Sequence, residues 1–233
     1  MSGAPRDPDQ PRARSLAHRI TFHTRGEGGQ AVQSADFALG EAFSRAYRVG
    51  ELLGTGAMGA VYAGEQVATG RAVAIKFLLA SGNAEAIARF VREGRMLARL
   101  SHAAVLRVFD VGNEGGHRYL VTDLLRGGTL KQRLETGPLA PKDAVAFAVR
   151  LLEGLAECHA AGIVHRDLKP ENVMFTEGGD PVIVDLGIGQ LAAEHTSMTR
   201  TGALMGTPLY MSPEQWQGAD VGPPADLYAL AAM

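Results

Sequence analysis

One cysteine, one tryptophan and an aromatic share of 6% are all that 233 residues carry of these types. The lone thiol, Cys158, has no partner within the chain, so no internal disulfide can staple the fold. It falls in a helical pattern beside Leu155 and reads as a buried structural thiol, which makes a reducing, cytoplasmic compartment the expectation. Long apolar runs are missing too, and nothing approaches the roughly 20 residues of a membrane-spanning helix. A secretory signal would need an unbroken apolar core, and the nearest candidate, residues 16–22, is cut by His18 and Arg19. Excess charge is also absent. The 23 basic and 25 acidic side chains leave a net charge of -2, which offers no general attraction to nucleic acid or anionic lipid. Any partner must therefore be recognised locally.

What is present is a hydrophobic share of 46%, enough for one large domain or two small lobes. Residues 1–44 stand apart, rich in Pro, Gly, Ser and scattered Arg without sustained apolar periodicity, and are expected to form a flexible tail. From Tyr47 onward the pattern is regular. Residues 47–53, 60–65 and 71–79 read as three antiparallel strands separated by Gly54-Thr55-Gly56-Ala57-Met58-Gly59 and by Ala68-Thr69-Gly70. Residues 84–100 carry a helical stripe of Ile87, Phe90, Leu97 and Leu100, and further strands are expected at 105–111 and 118–122. These make a five-stranded sheet with one packed helix. Residues 141–161 form the longest helical pattern, with proline in the first turn and Gly162 at the stop, so the following lobe is expected to be mainly helical.

The glycine cluster Gly54-x-Gly56-x-x-Gly59 is a weak signal alone, shared with dinucleotide-binding turns. In those a helix follows the glycines, whereas Ala60-Val61-Tyr62 opens a strand here, so a loop folded over a triphosphate is the better reading. Val73-Ala74-Ile75-Lys76 puts an ammonium on an otherwise apolar strand, where charge is costly without an anion nearby. Glu93 lies three residues after Phe90 and four before Leu97, so helical geometry turns its carboxylate toward the same face and makes it the expected partner of Lys76.

Downstream runs His165-Arg166-Asp167-Leu168-Lys169-Pro170-Glu171-Asn172, then Asp185-Leu186-Gly187 across a short hairpin. Asp167 supplies a proton acceptor, and Asn172 and Asp185 supply oxygen ligands for Mg²⁺, the set that phosphoryl transfer from ATP to a hydroxyl requires.

With these motifs in this order, residues 45–233 resemble the protein kinase family, most of all the bacterial eukaryotic-type serine/threonine protein kinases. The resemblance implies an α+β, two-lobed fold, with a nucleotide-binding lobe over 45–125 and a helical lobe over 126–233. It implies ATP and Mg²⁺ as cofactors, with Mn²⁺ as a substitute, and proteins bearing Ser or Thr acceptors as substrates; no nucleic acid or membrane partner is implied. Asp167, Lys169, Asn172, Lys76 and Glu93 match the family's catalytic positions, and Asn172 and Asp185 its metal ligands. Leu53, Gly54, Gly56, Gly59, Val61, Ala74, Lys76, Thr122, Asp123, Leu125, Met174 and Asp185 match its nucleotide site, with Thr122 as gatekeeper and the Asp123 and Leu125 backbone facing adenine. Lys169 and Thr207, the latter in Gly206-Thr207-Pro208-Leu209-Tyr210-Met211-Ser212-Pro213-Glu214, match the serine/threonine branch. Self-phosphorylation on Thr199 or Thr201, near Arg166, is expected.

Two departures bear on activity. Asp185-Leu186-Gly187 stands where the family has Asp-Phe-Gly, and leucine is expected to fill the apolar slot. Asp226-Leu227-Tyr228-Ala229-Leu230 resembles the opening of the central helix of the second lobe, which Met233 would leave incomplete. A catalytically weak nucleotide-binding module and a small-molecule phosphotransferase are the alternatives.

Overall fold

The computed structural model describes residues 19–25, 31–56, 59–78, 84–186 and 208–233. Its centre is a five-stranded antiparallel sheet of order β3-β4-β5-β7-β6, made by β3 (Tyr47–Gly56), β4 (Gly59–Gln66), β5 (Arg71–Leu78), β6 (Val108–Glu114) and β7 (His117–Asp123). Alternation along β5 sorts the two faces of this sheet. Val73, Ile75 and Phe77 are fully buried on one face, while Ala74 and Lys76 between them are half-buried on the other.

The first face is covered from the N-terminal side. Helix α1 (Glu41–Ala46) presents Phe43, whose ring centroid lies 5.3 Å from that of Tyr47, 5.7 Å from Phe77 and 4.9 Å from Tyr119. Tyr47 and Tyr119 both donate to Asp110 Oδ2, at 3.1 and 3.2 Å. Burial first, then the Asp110 carboxylate, pushes the Tyr47 phenol up to about 12 and raises that of Tyr119 as well. The expected tail is corrected here. Strands β1 (Arg19–Arg25) and β2 (Ala31–Ala38) pair as an antiparallel hairpin, with Ile20 opposite Phe37, and β1 lies against β3 and β4. The physical reason is period: Arg19-Ile20-Thr21-Phe22-His23 alternates polar with apolar, so the charges that exclude an apolar run are those a two-faced strand carries.

The second face meets helix α2 (Ala84–Leu97) and the lower lobe in one apolar core that joins Leu78, Phe90, Leu97, Leu120, Leu151, Leu155 and Ile183. Gly94 lets α2 approach β6, since a Cβ there would come within 2.6 Å of Val111. Helix α3 (Leu130–Glu135) starts with a Thr129–Gln132 capping box. Helix α4 (Pro141–Ala160) has proline in its first turn and closes as expected: Gly162 takes φ +75°, Ile163 N–H bonds Cys158 O and Gly162 N–H bonds His159 O, both at 2.9 Å. Cys158 is buried, and burial pushes its thiol up to about 12. A short hairpin of β8 (Val173–Phe175) and β9 (Pro181–Ile183), α5 (Pro213–Trp216) and α6 (Pro223–Ala231) complete the described lobe. Leu227 and Tyr228 on α6 are exposed, whereas Ala225, Asp226 and Ala229 are buried. Among the described residues no helix is long and apolar enough to cross a membrane.

Candidate active site

The catalytic-loop residues come together as a bonded cluster. Asp167 Oδ2 lies 2.8 Å from Lys169 Nζ and 3.2 Å from Asn172 Nδ2, which also donates to the Asp167 carbonyl at 2.7 Å. Asn172 is buried and its amide nitrogen is committed, so its Oδ1 is the atom left for a cation. The loop is braced from below by His165, which is fully buried. His165 Nε2 faces the Val184 carbonyl at 2.9 Å and Nδ1 receives the Asp167 N–H at 3.3 Å, a pairing that fixes the neutral tautomer with the proton on Nε2. One bond of the ring thus ties the loop to the strand leading into Asp185.

The main brace is a residue that the motif reading passed over as a helix opener. Asp226 on α6 is 1% exposed and takes the N–H of His165 at 2.9 Å, the N–H of Arg166 at 2.8 Å and His159 Nε2 at 2.8 Å. Its signal was in the sequence: a carboxylate inside the apolar run Ala225 to Leu230 is costly to bury unless several donors meet it. Gln215 donates to the Arg166 carbonyl at 2.7 Å. Arg166 and Asp185 are the non-glycine residues of the described chain with positive φ, at 67° and 58°. Such conformations gather at functional sites because the surrounding structure must hold them there.

Asp185 and Lys76 meet, with Oδ1 and Nζ 2.6 Å apart, and so join the two lobes. This corrects the expected Lys76–Glu93 pair. Helix α2 approaches β6 at Gly94, and the ion pair of Glu93 is with its chain neighbour Arg92, at 3.9 Å, rather than with Lys76. The left-handed turn at Asp185 meanwhile delivers a carboxylate directly to the ammonium. Leu186 is buried in the main core, filling the apolar slot as expected.

Around the cleft, Val61 stands opposite Lys76 and Ala74 opposite Thr122 in the sheet register. Thr122 is buried and donates to the Asp123 carbonyl at 3.2 Å, while the Asp123 N–H goes to Arg107 O, also at 3.2 Å. The Asp123 carbonyl is therefore the backbone group there with spare capacity. Burial raises the Asp123 carboxyl, opposed by Arg107 and Arg71. Leu125 and Met174 are half-buried, Met174 bridging to Thr129, and Leu53 is 48% exposed.

The three glycines separate into two kinds. Gly59 has φ +148° and a Cβ there would lie 2.0 Å from Phe77 O, so the β4–β5 register itself demands glycine. At Gly54 and Gly56 a Cβ would meet nothing within 4 Å, so the fold imposes no such demand. Ala57, Met58, Gly187, Thr199, Thr201 and Thr207 lie outside the described residues.

The sequence matches the protein kinase domain family over residues 47–233. It is 43% identical over 194 residues to serine/threonine-protein kinase pkn2 of Myxococcus xanthus, covering 80% of this chain and 23% of that protein. With PknL of Mycobacterium tuberculosis the identity is 38% over 190 residues, covering 80% and 47%. The fold is similar to the crystal structure of the Mycobacterium tuberculosis PknI kinase domain, with a TM-score of 0.65, 31% identity, and coverage of 80% of this chain and 71% of that one. The chain thus spans less than half the length of these curated relatives. A cluster built around Asp167, a lobe-bridging Lys76–Asp185 pair and a sequence match across both lobes lead to one conclusion: the chain belongs to the protein kinase family.

Proposed function

We propose that the chain transfers the γ-phosphoryl group of Mg-ATP to serine or threonine hydroxyls of proteins. The observation that carries this reading is the joined pair of clusters, Asp167–Lys169–Asn172 on one side and Lys76–Asp185 on the other. Asp167 accepts the proton of the acceptor hydroxyl, and Lys169 beside it offsets the negative charge gathered there. Asn172 Oδ1 and the Asp185 carboxylate form an all-oxygen set suited to Mg²⁺, and Lys76 suits phosphate oxygens. Bound Mg²⁺ would neutralise charge on the phosphate oxygens as the bond to the leaving group breaks. In this structure Lys76 and Asp185 each hold the other's charge, so a phosphate would compete for the first and a cation for the second. The open sides of Gly54 and Gly56 support a loop whose backbone N–H groups approach the phosphates. The serine/threonine assignment is supported by the relatives, since pkn2 and PknL are serine/threonine-protein kinases.

The test is transfer from γ-labelled ATP to a generic basic protein, followed by phosphoamino-acid analysis. Label on phosphoserine or phosphothreonine is expected. ATP binding without transfer, or label on a small-molecule alcohol only, overturns the proposal.

A further inference from the structure

The Arg166 peptide is clamped from two separate elements. Its N–H goes to Asp226 Oδ1 on α6 at 2.8 Å, and its carbonyl receives Gln215 Nε2 from α5 at 2.7 Å. Gln215 Oε1 at the same time accepts the Ser212 N–H at 3.0 Å and the Ser212 hydroxyl at 3.3 Å. The two ends of this amide are not interchangeable, because a carbonyl can only accept and a backbone N–H can only donate. Gln215 thus ties the segment around Ser212 to the catalytic loop, 49 residues earlier in the chain.

The point of attachment matters. Arg166 sits at φ 67°, a region that residues with a Cβ seldom occupy without outside support. Its carbonyl shares one rigid peptide plane with the Asp167 nitrogen. The other edge of that plane, the Asp167 N–H, meets His165 Nδ1 at 3.3 Å. Gln215 and His165 therefore fix the plane from opposite edges, and the plane sets the direction in which the Asp167 side chain leaves the backbone.

We propose that Gln215 is a positioning residue for Asp167, through which seating of residues 208–215 sets the orientation of the proton acceptor. The proposal rests on the role given to Asp167 above. When residues 208–215 withdraw, the Arg166 carbonyl loses the Gln215 amide while Asp226 keeps the N–H, so the loop loosens at Asp167 without coming apart. The segment that in the kinase resemblance lies on the peptide-substrate side thereby reports its state to the reacting group.

Three variants separate positioning from capping. Gln215→Glu keeps length and the Ser212 contacts but turns an acceptor toward the Arg166 carbonyl; Gln215→Asn is one methylene too short to span both partners; Ser212→Ala deletes a hydroxyl and leaves the Arg166 bond. At saturating ATP and protein substrate, both Gln215 variants are expected to lower kcat about tenfold, with KM for ATP and Tm close to wild type. Ser212→Ala is expected to lower Tm slightly and kcat less than twofold, an order-of-magnitude contrast. Independently of transfer, hydrogen exchange at the Asp167 amide is expected to quicken several-fold in Gln215→Glu and Gln215→Asn and to stay unchanged across 84–97. Unchanged exchange at Asp167 overturns the proposal, as does an equal loss of kcat in Ser212→Ala. A wild-type chain that transfers no phosphate removes the proton-acceptor reading of Asp167, and the exchange measurement then still decides whether Gln215 clamps the loop.

Discussion

The two lobes hold their functional residues by different physics. Around the upper sheet, Phe43, Tyr47, Phe77 and Tyr119 pack as an aromatic cluster, and Lys76 is placed by strand alternation above it. In the lower lobe Asp167 is placed by directional bonds: Asp226, His165 and Gln215 each take a backbone group of the loop or a side chain beside it. Packing is tolerant of chemistry and sensitive to volume, whereas a buried hydrogen-bond network tolerates isosteres poorly because one wrong donor leaves several groups unsatisfied. The upper lobe should therefore answer to deleted volume and the lower lobe to shape-preserving polar exchange.

The largest effect expected is in the lower lobe and is an isosteric one. Asp167→Asn should reduce phosphoryl transfer by roughly 10²- to 10⁴-fold while ATP affinity, measured by calorimetry, stays close to wild type. Comparable transfer by the variant would remove both the mechanism and the contrast.

Next comes volume in the upper lobe. Phe43→Ala should cost about 3–5 kcal/mol in chemical denaturation, and Phe43→Leu less than about 1.5 kcal/mol. Equal losses in the two would mean that the aromatic contacts, rather than the filled space, hold α1 in place.

Asp226→Asn keeps shape but replaces one accepting oxygen by an NH₂, so the amide faces a donor with a donor on one side while its oxygen still accepts on the other. A loss of about 3 kcal/mol is expected by denaturant titration, with faster amide exchange confined to 165–167 at low denaturant. If the loss is spread evenly over both lobes instead, the brace is not local.

The smallest effect tests polar exchange where packing dominates. Tyr47→Phe should cost only about 1 kcal/mol near neutral pH, because Tyr119 still serves Asp110. Tyr47 has its phenol raised from the ordinary 10.0 to about 12, so the neutral form is the one the fold favours. Its contribution is full below pH 10 and is lost as pH rises from 10 toward 12. Tyr47→Phe should therefore flatten the alkaline limb of the Tm profile over that window, and an unaltered limb would assign it to other groups.

How legible the site was from sequence follows the same division. Asp167 and Asn172 could be proposed as site residues from one local run and Asp185 from the Asp-Leu-Gly that follows, because these side chains carry the oxygens that a hard cation needs. The glycines could be found but not told apart, because what separates Gly59 from Gly54 and Gly56 is the distance to a neighbouring strand. The flexible-tail expectation fails over 19–25 and 31–38, where interspersed polar residues hide strands from a search for apolar runs. Glu93 was placed on the packed side of α2 by helical period, but period says nothing of which anion lies nearest Lys76.

The amino-acid sequence by itself determined the five-stranded sheet, the ends of α4 and the candidate set Asp167, Asn172 and Asp185. Periodicity, caps and local motifs act over a few residues, and those are written consecutively in the chain. Only the tertiary structure decided that Asp185 pairs with Lys76, that Asp226 gathers the N–H groups of 165 and 166, and that Gln215 reaches back to Arg166. Each of these joins groups 49 or more residues apart, and which donor meets which acceptor at that separation is fixed by how packed elements seat against one another.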